Sequence, residues 1–309
     1  HWTHLLVDEA AQGTEPDLAP ALACVLPHPR CYATPAIILV GDPAQLGPAI
    51  KNDMCRSQGL DVSLFERLSR LPVYAQSLAR LKRHGRSIVL SGEFSAHSGH
   101  LIRNYRARHP ALLHLPSTLF YSDSLVPCAP ANGRLIDLLN NWTQLPRRGA
   151  LRGMPMLFAD VRSHEEWVDE GVSWWNEGEV QKIVEMCRSL VEPVGCSTPS
   201  TNNPRNSNNG QCIVKPSEIA VISPFREQVW RLRVALRAAG LGDVAVGPVE
   251  AYQGQEAPIV ILSPVRSRSR FLASDREAGQ GLVCEAKRLN VALTRARELL
   301  IVVGNAELL

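Results

Sequence analysis

Two adjacent carboxylates, Asp8 and Glu9, directly follow the short apolar run Leu5–Val7. Such a run predicts a strand, and the carboxyl ends of strands are where α/β folds bind ligands. At that place the first carboxylate can orient a hydrated Mg²⁺ ion, and the second can accept a proton from an attacking water. The simpler interpretation is a solvated Asp-Glu pair at a strand end.

A second apolar run, Ile37–Val40, leads into a Gly-Asp-Pro turn at residues 41–43, and Gln45 lies two positions further on. A glycine at residue 41 permits a close approach of backbone. The Gln45 amide could contact a terminal phosphate or an attacking water. Taken by itself, the segment also fits an ordinary structural turn.

Three later segments carry arginine and amide side chains. Residues 101–110 place Tyr105 beside Arg106, a pair that could stack on a base and neutralise phosphate. A basic loop before a helix has the same composition. Residues 249–256 contain Gln-Gly-Gln-Glu just ahead of another apolar run.

Residues 287–297 predict one helix with an apolar stripe and basic side chains on its other faces. The stripe is formed by Leu289, Ala292, Leu293 and Ala296, and the basic residues are Arg288, Arg295 and Arg297. A solvated basic helix face is the simpler interpretation, above all for Arg297.

The order and spacing of these segments resemble motifs II to VI of the superfamily 1 helicases, in the branch typified by the nonsense-mediated-decay helicase. The motifs are Asp-Glu-Ala-Ala-Gln from residue 8, Gly-Asp-Pro-x-Gln-Leu from 41, Asn-Tyr-Arg from 104, Gln-Gly-x-Glu from 253 and Arg-Leu-Asn-Val-Ala-Leu-Thr-Arg-Ala-Arg from 288. Residues 63–68 and 115–121 are similar to the RNA-silencing and retrovirus-restriction helicases of the Moloney-virus-resistance type. The resemblance covers nearly the whole chain.

The resemblance implies a role for each matching residue. Asp8 would coordinate Mg²⁺, Glu9 would be the general base and Gln45 would contact the γ-phosphate. Tyr105 would stack near the adenine of ATP. Arg106 and Arg295 would be arginine fingers that stabilise transition-state charge. The remaining expected ATP-binding residues are Gly41, Asp42, Gln253, Gly254 and Glu256, of which Glu256 would bind a ribose hydroxyl or couple the ATP site to the strand.

The sequence departs from this family in two places. No Gly-x-x-x-x-Gly-Lys-[Ser/Thr] loop occurs in the 309 residues, so the β- and γ-phosphates would find neither a backbone cradle nor a lysine. We expect that loop upstream of His1 in a longer parent protein, and the chain alone to be inactive. An extra residue before His109 leaves both Arg106 and Arg108 as candidates for one finger, and the register from Leu101 favours Arg106.

Apolar runs alternate with helical patterns along the chain, which predicts a doubly wound α/β fold with buried parallel strands. The runs are residues 5–7, 37–40, 156–161, 219–222, 259–262 and 299–303, with helices at 178–190 and 226–239. The resemblance implies RecA-like P-loop NTPase domains, with ATP in the cleft between two of them and a single strand across the top.

The expected domain organisation has three parts. Residues 1–75 would be the C-terminal part of the first RecA-like domain, residues 76–100 an interdomain connection, and residues 101–309 the second RecA-like domain. Residues 195–212 form an Asn- and Ser-rich tract with almost no apolar content. We predict that this tract is a disordered insertion.

Composition excludes little. A net charge of +3 with 45% hydrophobic residues fits an ordinary soluble enzyme as well as a nucleic-acid-binding protein. The eight cysteines form no Cys-x-x-Cys pair, so we predict no zinc site and reduced thiols of an intracellular protein. No apolar run reaches the length of a membrane span, so we expect no membrane partner.

The leading hypothesis is an ATP-dependent RNA helicase that uses Mg²⁺ with ATP, moves on single-stranded RNA and acts in RNA silencing or RNA turnover. The sequence leaves the direction of movement open, and the resemblance implies 5′-to-3′. A DNA helicase is the alternative for the substrate, because such motors grip backbone and stacked bases more than base edges. A nucleic-acid-binding scaffold with a degenerate motor is the alternative for the activity. The presence of Glu9, Gln45 and Arg295 argues against it, because an inactive motor has no chemical need for these residues. We expect RNA-silencing or mRNA-decay proteins as partners, and a cytoplasmic location with ribonucleoprotein granules or the nucleus as alternatives.

Overall fold

The computed structural model describes residues 2–25, 35–74, 99–145, 152–168, 173–192 and 214–309. The chain divides into two compact units, His1–Leu101 and Ile102–Leu309. The expected connection at 76–100 lies almost wholly outside the described residues, and the expected insertion at 195–212 lies outside them entirely. The assignment of these parts to RecA-like domains stays a prediction.

The described residues of the first unit form two short parallel strands and three helices. Leu5 of the first strand lies opposite Ile37 of the second. The elements are β1 (His4–Val7), α1 (Glu15–Val25), β2 (Ala36–Leu39), α2 (Asp53–Ser57) and α3 (Leu64–Ser69). The sequence predicted both strands, but their predicted burial is wrong, since Leu6 is 70% and Ile38 46% exposed. Among the described residues β1 and β2 pair only with each other, so their faces stay partly uncovered.

The second unit is built on a sheet in which its described residues form five strands, all paired in parallel. Its strands are β5 (Met156–Asp160), β8 (Ile219–Ile222), β9 (Ala245–Gly247), β10 (Ala257–Leu262) and β11 (Ala296–Gly304). They lie in the order β5-β11-β10-β8-β9. Two smaller pairs flank it: parallel β3 (Arg103–Asn104) with β4 (Val126–Pro127), and the antiparallel hairpin β6 (Glu166–Val168) with β7 (Ser173–Trp175).

Helices connect these strands and bury their apolar faces against the sheet. They are α4 (Ala111–Phe120), α5 (Gly133–Asn141), α6 (Glu177–Val191), α7 (Arg226–Ala238), α8 (Leu272–Ala278) and α9 (Ala286–Leu293). Ile183 of α6 and Leu232 of α7 are fully buried in one cluster with Ile261 of the central strand β10. The predicted α/β fold and the two predicted helices are confirmed. No described helix is both long enough and apolar enough to cross a membrane.

One predicted helix is too long. The sequence predicts a helix through residue 297, but α9 ends at Leu293, and Ala296 and Arg297 belong to β11. The helix stops because pairing with β10 begins here, with Ala257 opposite Ala296. The interpretation of Arg297 as part of a solvated helix face is therefore wrong.

The parallel order gives the sheet of the second unit two distinct edges. Residues 249–256 precede β10 and residues 286–295 precede β11, so both segments lie at the amino ends of neighbouring strands. The segments after β5, β8, β10 and β11 lie at the carboxyl ends. The motifs expected to face ATP in this unit are therefore on one edge, and a separate set of loops is on the other.

Candidate functional site

The carboxylates Asp8 and Glu9 lie at the end of β1, as predicted, and both are exposed. Glu9 has φ 51°, in the left-handed region that residues other than glycine rarely adopt. Asp8 Oδ1 accepts the Glu9 backbone N–H at 2.9 Å, and Glu9 Oε2 accepts Gln12 Nε2 at 2.5 Å. The chain thus holds two adjacent carboxylates at a strand end in an uncommon backbone conformation, which is the kind of strain that clusters at functional sites.

The turn after β2 contacts the turn after β1. The Ala10 backbone N–H donates to Val40 O at 2.8 Å. A Cβ atom on Gly41 would lie 2.8 Å from the backbone nitrogen of Ala11, closer than real Cβ atoms come. The close approach expected at Gly41 is therefore an approach to the carboxylate-bearing turn, and glycine is required for the two turns to meet.

Asp42 positions Gln45. Its Oδ2 accepts Gln45 Nε2 at 2.8 Å, and its Oδ1 accepts the Ala44 backbone N–H at 3.0 Å. Carboxylate oxygens are the ligands that Mg²⁺ prefers, and Mg²⁺ sites in proteins often use one or two carboxylates together with substrate phosphates. The donor set of the first unit fits that chemistry.

In the second unit, Arg106 lies beside Glu256. Asn104 Oδ1 accepts two backbone N–H groups, that of Arg106 among them at 2.9 Å, and this turn positions the arginine. Arg106 Nε donates to Glu256 Oε2 at 2.9 Å, and its Nη1 donates to Thr294 O at 3.0 Å. The other oxygen of Glu256 lies 3.3 Å from Arg297 Nη1. One carboxylate therefore fixes two guanidinium groups.

Arg295 links α9 to β11 and is only 1% exposed. Its Nε donates to Val291 O at 3.0 Å, and its Nη1 donates to Gln255 O at 3.1 Å. Its own carbonyl accepts the Ala257 backbone N–H at 3.1 Å. Two of these bonds join Arg295 to Gln255 and Ala257, the residues on either side of Glu256. Arg295 therefore lies buried at the point where both β10 and β11 begin.

The turn before β10 carries two more of the expected residues. Gly254 has φ 71° and open space around its Cβ position, so backbone conformation alone requires glycine there. Gln253 Nε2 is buried without a hydrogen-bond partner among the described residues. A buried donor of this kind could be satisfied by a bound ligand or water. Tyr105 is 68% exposed, as a ring that stacks on a ligand must be before binding.

Arg108, the alternative finger, is directed elsewhere. Its Nε lies 3.4 Å from Oε1 of Glu298, a side chain with no exposed surface. Arg134 Nε lies 2.7 Å from the other Glu298 oxygen. Burial alone would raise the Glu298 pKa, but hydrogen bonds from Arg134 and Asn132 and the nearby positive charges lower it overall. Arg108 is thus part of a buried ion cluster, separate from Glu256.

Sequence reasoning missed a buried polar cluster at the carboxyl edge of the same sheet. Glu179 Oε2 accepts the Ser263 hydroxyl at 2.6 Å and the Val265 backbone N–H at 3.0 Å. Gln228 Nε2 donates to the same Ser263 at 2.9 Å, and Val265 has φ 72°, unusual for a β-branched residue. The one available signal was Glu179 itself, a charged residue on the helix stripe that Ile183 continues.

A comparison with protein families shows which family the chain belongs to. The family described as AAA domain matches residues 60–307. The chain belongs to the AAA domain family of the superfamily 1 helicases. The recognition of that superfamily and the RecA-like α/β fold are thereby confirmed, and helicases of this family generally use ATP and Mg²⁺.

The helicase domain is similar to several curated proteins across its whole length. It is 36% identical over 313 residues to "RNA helicase Mov10l1" of Homo sapiens, with 100% of this chain and 23% of that protein covered. It is 29% identical over 315 residues to "Probable RNA helicase armi" of Drosophila melanogaster, covering 100% and 24%. It is 29% identical over 314 residues to "Regulator of nonsense transcripts 1 homolog" of the same species, covering 100% and 21%. The chain thus spans only 21% to 24% of the length of these relatives.

Proposed function

We propose that this helicase domain is part of an ATP-dependent RNA helicase that moves on single-stranded RNA. The observation that carries the proposal is the convergence of Arg106, Glu256 and Arg295, which reach one edge of the sheet from three distant segments. The relatives named above as RNA helicases support RNA as the substrate.

Phosphoryl transfer leaves little covalent chemistry for a protein to perform, so the placement of charge dominates catalysis. We assign Asp8 to the Mg²⁺ of the Mg²⁺–ATP substrate and Glu9 to the proton of the attacking water. Gln45, held by Asp42, would contact the γ-phosphate or that water. The hydrogen bond to Asp42 supports this role because it fixes the orientation of the Gln45 amide.

The guanidinium groups of the second unit would stabilise the charge that develops on the transferred phosphoryl group. We assign one finger to Arg106 and not to Arg108, because Arg106 contacts Glu256 while Arg108 pairs with the buried Glu298. Arg295 is the second finger. Tyr105 would stack near the adenine, and Gln253, Gly254 and Glu256 would contact the nucleotide.

We further propose a role in RNA silencing or mRNA turnover, in the cytoplasm, with proteins of those pathways as partners. DNA stays the alternative substrate, and a competition between RNA and DNA strands of one sequence would decide between them. The relative named "Regulator of nonsense transcripts 1 homolog" supports the role in mRNA turnover. The role in RNA silencing, the location and the partners rest on the resemblance of the sequence motifs alone.

The test is ATP hydrolysis by a longer protein that contains this chain and a phosphate-binding loop. We expect RNA-stimulated hydrolysis that Glu9→Gln abolishes while RNA binding persists. The 309 residues alone carry no such loop and should release phosphate only at background level. Undiminished turnover by the Glu9→Gln variant would refute the assignment of the general base. If the longer protein bound RNA but did not hydrolyse ATP, the alternative function, a nucleic-acid-binding scaffold with a degenerate motor, would be favoured.

A further inference from the structure

A basic groove lies between the helix α7 and the strand β9, at one side of the sheet of the second unit. Among the described residues β9 pairs only with β8, so no neighbouring strand covers its other side. The groove has a volume of about 390 Å³. Its lining combines aliphatic side chains with guanidinium and amide groups, chiefly from Arg233, Arg237, Ala245, Val246, Ala251 and Gln255. We call this feature the edge groove.

Arg233 is held in place against the edge of the sheet. Its Nε donates to Val246 O at 3.0 Å, and its Nη2 donates to the same oxygen at 2.6 Å. The guanidinium thereby engages a carbonyl that an added strand would need, so this edge is not open to strand pairing. The third nitrogen, Nη1, has no hydrogen-bond partner within the described part of the chain. Arg233 is thus an oriented cation with N–H groups left for a ligand.

Arg237 adds a second positive charge one helical turn later. It is exposed, and its side chain makes no hydrogen bond or ion pair with any described residue. Like charges four positions apart on a helix repel each other. The groove lining contains no carboxylate to offset them. Asp243 and Glu250 are nearby in sequence but do not line the groove, and Glu250 lies 3.0 Å from Arg288. The edge groove therefore presents positive charge without a counter-charge of its own.

Two large apolar side chains extend this surface along α7. Trp230 is 58% and Val234 is 47% exposed. With Arg237 they fall within about 60° of one another around the helix, so the three share one outer stripe. Trp230 makes no ring contact with a described residue. Tryptophan and arginine are the residues most enriched among those that dominate binding between proteins. The stripe has the composition of a protein-binding surface.

The wall of the groove favours a peptide over a nucleic acid. Guanidinium groups bind carboxylates and phosphates alike. Nucleic-acid surfaces add aromatic faces on which bases stack. The one ring that lines this groove, Tyr252, is only 7% exposed, and the wall beside it is aliphatic at Ala245 and Ala251. An aliphatic wall flanked by guanidinium groups complements an aliphatic side chain with carboxylates next to it.

We infer that the edge groove binds an acidic peptide segment of another protein. An aliphatic side chain of the peptide packs against Ala245 and Ala251, and flanking carboxylates pair with Arg233 and Arg237. The stripe on α7 extends the contact at Trp230. The inference does not depend on the proposed function, because neither Arg233 nor Arg237 is assigned to ATP or to RNA.

The test uses the 309-residue chain and a fluorescein-labelled peptide of about 12 residues that repeats Glu-Glu-Leu, with binding measured by fluorescence anisotropy. Two control peptides replace either every Glu by Lys or every Leu by Ser. The wild type should bind the Glu-Glu-Leu peptide at least about tenfold more tightly than the Lys peptide, because the groove selects negative charge. It should bind the Ser peptide about fivefold more weakly, because no aliphatic side chain is buried.

Two variants separate charge from aliphatic contact. Arg237→Glu should weaken binding of the Glu-Glu-Leu peptide by about tenfold or more, because it places a like charge against the ligand. Arg276→Glu is the matched control, since Arg276 is an exposed arginine of α8 outside the groove, and it should bind within about twofold of the wild type. Ala245→Leu fills the groove, so it should abolish the preference for Leu over Ser and leave the affinity for the Ser peptide unchanged.

Three results would overturn the inference: no binding of the Glu-Glu-Leu peptide, equal affinity for the Glu and Lys peptides, or equal losses in Arg237→Glu and Arg276→Glu. Oligouridine that binds in place of the acidic peptide, and is lost in Arg237→Glu, would also overturn it by assigning the basic surface to nucleic acid. Each of these outcomes leaves the ATPase assignments unchanged. Matching melting temperatures would exclude unfolding, as expected because neither arginine side chain bonds to a described residue.

Discussion

The carboxylate of Glu256 accepts a hydrogen bond from Arg106 Nε at 2.9 Å, although the two residues are 150 positions apart in sequence. Arg108, two residues further along, instead pairs with the buried Glu298 at 3.4 Å. The motif spacing does not distinguish Arg106 from Arg108, but the fold gives them different carboxylate partners. One arginine joins the segment before β10, and the other joins a structural ion cluster.

This separation predicts opposite phenotypes for the two arginines. In a longer, ATPase-active protein, Arg106→Ala should lower RNA-stimulated kcat by about a hundredfold or more, because a finger acts on charge that develops in the transition state. Its stability should change by no more than about 1 kcal/mol, since the Arg106–Glu256 pair is partly exposed. Single-turnover ATP hydrolysis and thermal unfolding measure the two effects.

Arg108→Ala is the control, and it should show the reverse pattern. Removing it takes one positive partner from a fully buried carboxylate that keeps Arg134, so we expect a loss of about 1–2 kcal/mol in unfolding free energy. Its kcat should stay within a few-fold of wild type. A large kcat loss for Arg108→Ala together with normal turnover by Arg106→Ala would show that Arg108, and not Arg106, is the arginine finger.

Gly41 offers a test of the contact between the two turns of the first unit. A methyl group there would meet the Ala11 backbone nitrogen at 2.8 Å, so Gly41→Ala must displace one of the turns. We expect a loss of about 1–3 kcal/mol in the stability of the first unit, typical of overpacking. Gly13→Ala is the control, because its nearest neighbour would be Asp17 Cβ at 3.9 Å. Chemical denaturation that finds the two variants equally stable would show that the turns do not meet.

The sequence was sufficient to predict the elements whose local residue pattern fits only one kind of secondary structure. Continuous apolar runs such as 219–222 and 259–262 predicted the central strands, because a strand covered on both faces needs no polar alternation. It was insufficient where a tertiary contact decides the boundary. The stripe through Ala296 is helical in spacing, yet pairing with β10 converts that residue to strand.

The candidate site shows the same division. The carboxylates Asp8 and Glu9 could be placed at a strand end from local sequence alone. The burial of Arg295 could not, because it depends on the Gln255 carbonyl, which reaches it from a segment 40 residues away. The contact between Gly41 and Ala11 was equally invisible, since it depends on the pairing of β1 with β2.

Glu179 should make the stability of the second unit depend on pH. Complete burial raises its pKa from 4.5 to about 8, against the opposing hydrogen bonds from Ser263 and Val265. A group whose pKa is raised in the folded state stabilises that state fully below its unfolded pKa, and this contribution is lost as pH rises through the folded pKa. The unfolding free energy should therefore fall between about pH 4.5 and pH 8.

Glu179→Gln isolates that dependence, because an amide cannot ionise. Below pH 5 the variant should be no more stable than wild type, and its stability relative to wild type should rise between about pH 4.5 and pH 8 and then level off. Urea denaturation over this pH range measures both slopes. Parallel curves for the two proteins would show that Glu179 does not supply the pH dependence.

Arg295 gives the most demanding prediction, because its side chain is both structural and, in our proposal, catalytic. Arg295→Ala removes two charged hydrogen bonds to the Val291 and Gln255 carbonyls from a buried position. We expect a loss of about 3 kcal/mol in unfolding free energy, so lost turnover by this variant alone would be ambiguous. Arg295→Lys keeps the positive charge but not the planar fork that reaches two acceptors. In a longer, ATPase-active protein that is still folded at the assay temperature, it should lower kcat by about a hundredfold and leave RNA affinity without nucleotide nearly unchanged.

Arg297→Ala is the neighbouring control. Arg297 contacts Glu256 at 3.3 Å and is not one of the assigned fingers, so its loss should reduce kcat by less than about tenfold. Single-turnover hydrolysis measured beside RNA binding distinguishes the roles. If Arg295→Lys hydrolysed ATP normally but lost RNA affinity, Arg295 would be a contact to the RNA backbone and not a finger. The catalytic charge of the second unit would then rest on Arg106 alone.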